Sequence, residues 1–189
     1  MELRDPARAA DGHELAVTRF PAEGQAWATI LVAGAMGVRQ DFYEPLARFL
    51  AENGVHALTF DYRGMGASRD GSLRGFGADV TTWAQSDLDA MLREARAMGP
   101  RLPAFALGHS LGGQLFGAVP EGARLDAVVT VTAGSGWYRH NDRMPLQVRF
   151  FWFVAIPLLT PLFGYFPGRR LRMVGDLPAG VAWRWRRGG

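Results

Sequence analysis

Two hydrophobic periods alternate along the first two thirds of the chain. Short continuous apolar runs stand at Trp27–Ala33, Val55–Phe60, Pro103–Leu107 and Asp126–Thr132. Runs of that length bounded by turn residues suit strands buried on both faces, as in a parallel sheet. Between them the period lengthens to about 3.6 residues, that of an amphipathic helix. Phe42, Leu46, Phe49 and Leu50 form one stripe, and Val80, Trp83, Ala84, Leu88, Met91, Leu92 and Ala95 another. Asp41 with Glu44 reads as a capping box for the first helix, with Pro45 in its first turn and Gly54 as its stop. Asp79 reads as the cap of the second, which Gly99-Pro100 ends. A third helix should begin near Leu111. Asp11-Gly12 predicts a hairpin joining an N-terminal strand to Glu14–Phe20.

Strands alternating with helices predict an α/β fold: a doubly wound, mostly parallel sheet with helices on both faces. The expected order is 55–60, 28–33, 103–108, 127–132, all parallel, with 14–20 antiparallel to the N-terminal strand. Beyond Ala133 the rhythm breaks. The segment from Gly134 to Arg187 is aromatic and Pro-rich without a clear strand, and Met144–Leu159 reads as helical up to Pro157. The expected division is a core at 1–133 and an incomplete, lid-like insertion at 134–189. Phe150–Pro167 is the longest uncharged run, but Pro157 and Pro161 interrupt it. A buried or lid segment is therefore expected there rather than a membrane span.

Charge adds one local feature. All 21 basic residues are Arg and there is no Cys, which excludes disulfides and Cys-ligated metals. Six of the arginines but only one of the 18 acidic residues follow Gly168, so that segment carries +5 and the remainder −2. A basic tail can mark nucleic-acid or anionic-membrane contact. No nucleic-acid motif accompanies it, and a solvated helix face beside Trp183 and Trp185 is the expectation. The N-terminus lacks a charged-then-apolar leader, so a cytoplasmic protein is expected, with membrane association not anticipated.

The chemistry centres on Gly108-His109-Ser110-Leu111-Gly112-Gly113, which follows an apolar strand and precedes a helix. A nucleophile presented on a strained strand-to-helix turn needs neighbours without side chains two residues away, and the helix start beneath it offers free N–H groups. Ser110 is the candidate nucleophile. The Leu111 N–H is one candidate oxyanion donor. The second is expected from Ala33-Gly34-Ala35-Met36-Gly37, at the N–H of Ala35 or Met36. His109 reads as a flanking residue rather than a base, because its side chain should point away from that of Ser110.

With these residues the sequence resembles the α/β-hydrolase superfamily over about residues 14–133. Asp61-Tyr62-Arg63-Gly64-Met65-Gly66-Ala67-Ser68 is similar to that family's Asp-x-Arg-Gly-x-Gly-x-Ser loop, which shapes a turn; Asp61 and Arg63 should hydrogen-bond locally. Ala33-Gly34, where the family often has His-Gly, resembles a bacterial subgroup of uncharacterised serine hydrolases with Ala-Met-Gly in this loop. The resemblance implies acyl transfer to water from an ester, thioester or amide, a small-molecule acyl substrate, and no metal, organic cofactor or nucleic acid. It also implies an acid and then a His after the serine, carried by two further strands. After Ser110 this chain has one His, His140, with Asp142 or Asp176 as candidate acid. The hydrolase fold is thus expected to lack its last strands and to end in a partial helical lid. A serine without a base is a poor nucleophile at neutral pH. The alternative expectation is a non-catalytic hydrolase or pseudo-enzyme binding an apolar ligand or a partner.

Overall fold

The computed structural model describes residues 2–119, 122, 124–134, 146–172 and 174–186. Each apolar run forms a strand within a six-stranded sheet. Its strands are β1 (Leu3–Arg8), β2 (Glu14–Phe20), β3 (Ala28–Ala33), β4 (Val55–Phe60), β5 (Ala104–His109) and β6 (Ala127–Val131), in the order β1-β2-β4-β3-β5-β6. β4, β3, β5 and β6 are mutually parallel, as the sequence predicts. β2 pairs antiparallel with β1 through the Asp11-Gly12 turn, and also antiparallel with β4. β3 is buried along its whole length, as a strand covered on both faces should be. β6 differs: every residue is exposed, Val128, Val129 and Val131 among them, and it is the end strand of the sheet among the described residues.

The first helix departs from expectation. Asp41 lies in a 3-10 turn, Gln40–Tyr43, and α1 (Glu44–Glu52) follows it without a side-chain cap. The expected capping box is not formed: Asp41 lies inside the 3-10 turn rather than at a cap position, and the carboxylates pair with arginines, Asp41 with Arg39 at 2.6 Å and Glu44 with Arg4 at 2.5 Å. The apolar stripe is also displaced. Phe42, Leu46 and Phe49 are exposed, while Ala47 and Ala51 face the sheet and join Phe20, Ile30 and Val55. Small residues there let the helix lie close to the strands, and Gly54, at φ +80°, ends the segment as expected.

The second helix follows its pattern more closely. Asp79 caps it in a reciprocal box with Thr82, and all seven stripe residues are buried. It runs as α2 (Val80–Thr82), a π-helical stretch (Trp83–Leu88) and α3 (Asp89–Ala97). The third begins at Leu111 as α4 (Leu111–Leu115).

Past residue 145 the chain forms α5 (Leu146–Phe150), a π-helical stretch (Phe151–Ala155) and α6 (Ile156–Phe163). Helix thus continues beyond Pro157, contrary to expectation. Pro157 lies inside an unbroken helical run over 146–163, where the π-helical stretch passes into α6, and Pro161 lies farther along it. The expectation of no strand also fails: β7 (Tyr165–Phe166) and β8 (Leu177–Pro178) form a two-residue antiparallel pair. α7 (Ala179–Arg186) follows. Phe151, Trp152, Ile156, Leu177, Val181 and Ala182 belong to the same core as Leu15, Leu58, Trp83 and Leu111. The tail arginines are partly spent inside this packing, since Arg186 Nε donates to Trp152 O at 3.0 Å beside the Trp152–Trp185 contact. Among the described residues no helix is long and apolar enough to cross a membrane.

Candidate functional site

β5 runs straight into Ser110, and α4 begins at the next residue. Ser110 adopts φ 52°, ψ −115°, a conformation that L side chains rarely take. Three glycines make the turn feasible. A Cβ on Gly108 would lie 2.4 Å from Gly113 Cα, one on Gly112 would lie 2.3 Å from Ala33 O, and one on Gly113 would lie 2.7 Å from Ala133 Cβ. The first two obstacles are backbone atoms, so no rotamer change relieves them. Ser110 N–H donates to Val131 O at 2.8 Å, and Ser110 O accepts from Gly113 N–H at 3.0 Å. Oγ of Ser110 makes no hydrogen bond to another described residue. The predicted strained turn at the carboxyl end of the sheet is therefore present. Because the strain belongs to the backbone, Ser110→Gly should raise stability by about 1 kcal/mol while deleting the hydroxyl. Urea titration of both proteins checks this.

The loop after β3 faces the turn, since the Gly112 position abuts both Ala33 O and Gly34 O. The two candidate donors there are not equivalent. Ala35 N–H donates to Tyr43 Oη at 2.8 Å, so it is already committed. The Met36 N–H, by contrast, has no acceptor among the described residues. Leu111 N–H opens α4, where the first amides lack intrahelical acceptors. Both Met36 and Leu111 are buried.

His109 points to Tyr43, with Nδ1 2.9 Å from Oη. This agrees with its reading as a flanking residue. Tyr43 was not singled out by the sequence. Its only signal was an aromatic residue at the helix start, a few residues after a Gly-rich loop. His140 and Asp142, the candidate base and acid, lie outside the described residues. Asp176 is engaged elsewhere: Oδ2 pairs with Arg69 at 3.0 Å and Oδ1 accepts from Arg169 N–H at 3.1 Å. Of the other described histidines, His56 Nδ1 accepts from Ala22 N–H, and His13 sits edge-on to Phe76 in the β1–β2 turn. Burial holds His13 below its ordinary range. Among the described residues no cluster of His and carboxylates could hold a metal ion.

The 61–68 stretch builds the neighbouring turn. Asp61 accepts from Gln40 N–H and Ala67 N–H, each at 2.9 Å, and a Cβ on Gly66 would fall onto its carboxylate. Ser68 Oγ donates to Asp61 O at 2.6 Å and accepts from Ala16 N–H at 2.7 Å. Arg63 reaches farther than the local bonding expected of it. Its guanidinium pairs with Asp87 at 2.7 Å and with Asp11 of the hairpin at 2.6 Å, and its N–H donates to Asp87 at 2.9 Å. Burial pushes the Asp87 carboxyl up to about 6, against the opposing pull of Arg63.

A groove of about 1090 Å³ lies along the C-terminal helices, lined by Leu146, Phe150, Phe151, Trp152, Phe153 and Trp185 among others. Its lining is mostly apolar, with Arg149 and Arg172 also part of it.

The fold agrees with comparisons to known proteins. The family model described as serine aminopeptidase, S33, matches residues 24–154. The chain belongs to that family of α/β hydrolases. No curated protein matches the sequence. Among solved structures it is similar to a thermostable carboxyl esterase from Bacillus coagulans, with TM-score 0.59 and 18% identity over 85% of this chain and 50% of that one. It is also similar to the α/β hydrolase GrgF from Penicillium sp. sh18, with TM-score 0.57 and 19% identity over 96% of this chain and 62% of that one. A third is XC6422 from Xanthomonas campestris, described as a serine hydrolase without a lid, with TM-score 0.54 and 18% identity over 75% and 65%. The chain spans half to two thirds of the length of these three. At such identities the likeness establishes the fold.

Proposed function

We propose that the chain carries the nucleophile and oxyanion donors of a serine hydrolase acting on an ester, thioester or amide of a small molecule. Ser110 Oγ attacks the carbonyl carbon, its proton passes to a base, and the carbonyl oxygen becomes an oxyanion held by the N–H groups of Leu111 and Met36. The observation that carries this reading is the positive φ of Ser110, held by glycines that tolerate no side chain. Such strain persists where the surrounding structure enforces it, and it presents the hydroxyl ahead of the helix start.

The base is the open member. The Nδ1 of His109 is occupied by Tyr43, and His56 and His13 are engaged away from Ser110. His140, with Asp142 as its acid, stays the candidate within this sequence. We read residues 134–189 as a lid-like segment over the 1–133 core, and a cytoplasmic setting belongs to the same proposal. The apolar groove at Phe150–Phe153 and Trp185, whose lining does not include Ser110, supports the second reading, a non-catalytic hydrolase relative that binds an apolar ligand.

Fluorophosphonate labelling followed by peptide mapping tests the proposal. Slow label, building up over prolonged exposure because no base stands beside Oγ among the described residues, is expected on Ser110 and absent from Ser110→Ala, and turnover of p-nitrophenyl acetate by this chain is expected to be slow for the same reason. An oxyanion site and binding alone leave roughly 10³–10⁴-fold acceleration when a triad member is missing. Robust turnover abolished by both Ser110→Ala and His140→Ala would instead make His140 the base. Label elsewhere, or none at all, would defeat the nucleophile assignment.

A further inference from the structure

The ring of Tyr43 is 5% exposed and sits between the loop after β3 and the turn at Ser110. It packs on Gly34, where an added Cβ would come within 3.0 Å of the ring, and edge-on to His109 with centroids 6.0 Å apart. Its hydroxyl joins the two elements, at 2.8 Å from Ala35 N and 2.9 Å from His109 Nδ1.

A proton count fixes the direction of this chain of bonds. The amide can only donate, so Tyr43 Oη accepts from Ala35 N–H. The phenol then has one proton to place, and His109 Nδ1 is its only other partner among the described residues. If Nδ1 carried its own proton, the phenol O–H would be left without an acceptor in a buried site. Tyr43 therefore donates to Nδ1, and neutral His109 must carry its ring proton on Nε2. Burial raises the Tyr43 hydroxyl above its ordinary range, so the proton stays on the phenol.

We propose that Tyr43 is a positioning residue. The relay Ala35 N–H to Tyr43 Oη–H to His109 Nδ1 ties the loop that presents Met36 N–H to the residue preceding Ser110. Its relevance to catalysis rests on the hydrolase reading; the tie itself does not. Two consequences follow. Ala35 N–H is withdrawn from competition for a substrate oxygen, and the Nδ1 lone pair of His109 is unavailable to take a proton from Ser110.

Nitrogen-15 NMR of the whole chain tests the tie. Long-range proton–nitrogen correlations should show His109 as a single Nε2–H tautomer at neutral pH. In Tyr43→Phe, which keeps the ring, His109 should become a mixture of tautomers, and amide exchange at Ala35 should accelerate at least tenfold. His109→Asn, whose side-chain oxygen can accept in place of Nδ1, should keep Ala35 protected better than His109→Ala does. A tautomer with the proton on Nδ1 in the wild type overturns the proposal without any variant. Unchanged exchange at Ala35 in Tyr43→Phe also overturns it, because that is what a purely space-filling ring predicts. Failure of Ser110 to take a fluorophosphonate would count against the hydrolase reading and leave the tie standing.

Discussion

Gly112→Ala is expected to destabilise the protein by about 3 kcal/mol or more, at the upper end of overpacking costs. The added methyl would sit 2.3 Å from Ala33 O and 2.8 Å from Gly34 O, both backbone atoms of the central strand and its loop. Relief requires pushing α4 off β3, which would also move the Leu111 N–H and the loop carrying Met36. Gly117→Ala is the control, since no atom lies within 4 Å of its Cβ position. It should be neutral or slightly stabilising. Equal midpoints for the two variants in urea would mean that the turn can relax in a way the close packing denies.

The second large effect concerns Asp87, which lies fully buried against Arg63. Asp87→Ala should cost about 2–3 kcal/mol, because it leaves the Arg63 guanidinium with Asp11 alone and the Arg63 N–H without its acceptor. The pH dependence has a definite sign. Burial raises the folded carboxyl to about 6 from an ordinary 3.8, so the folded chain holds this proton more tightly than the unfolded chain. The stability that this group contributes is present at low pH and is lost as pH rises from about 4 through about 6. The deficit of Asp87→Ala should therefore grow by about 1 kcal/mol between pH 7 and pH 5. Paired urea titrations at the two pH values measure it. A deficit that shrank on acidification would place the carboxyl below its ordinary value.

Sheet order was legible because buried parallel strands read as unbroken apolar runs, and those runs came in the family's order. The turn at Ser110 was legible because its glycines answer to backbone clashes that any such turn creates. What misled was α1. Its large apolar residues suggested the buried face, yet Ala47 and Ala51 lie against the sheet and Phe42 and Phe49 face outward. Periodicity reports which residues share a face, and it does not say how close that face must approach its neighbour. The capping box at Asp41 did not form because a 3-10 turn, Gln40–Tyr43, precedes α1 and takes Asp41 into it, which the spacing of Asp41 and Glu44 does not reveal. Helix continued past Pro157 at the point where a π-helical stretch, Phe151–Ala155, passes into α6, an irregularity that the hydrophobic period does not reveal. Tyr43 escaped notice because its importance lies in two hydrogen bonds to residues 8 and 66 positions away.

Gly37 and Gly175 meet backbone to backbone. A Cβ on Gly37 would lie 2.7 Å from Gly175 N, and one on Gly175 would lie 2.8 Å from Gly37 O. The turn between β7 and β8 thus rests on the residue next to Met36 with no side chain between them to act as a cushion. A backbone contact of this kind cannot yield by changing rotamer, whereas contacts made through long side chains can, so a displacement of that turn toward Gly37 should be felt by the Met36 loop. Reagents that wedge the 168–176 stretch outward should therefore alter the environment of the Met36 amide before they disturb the sheet.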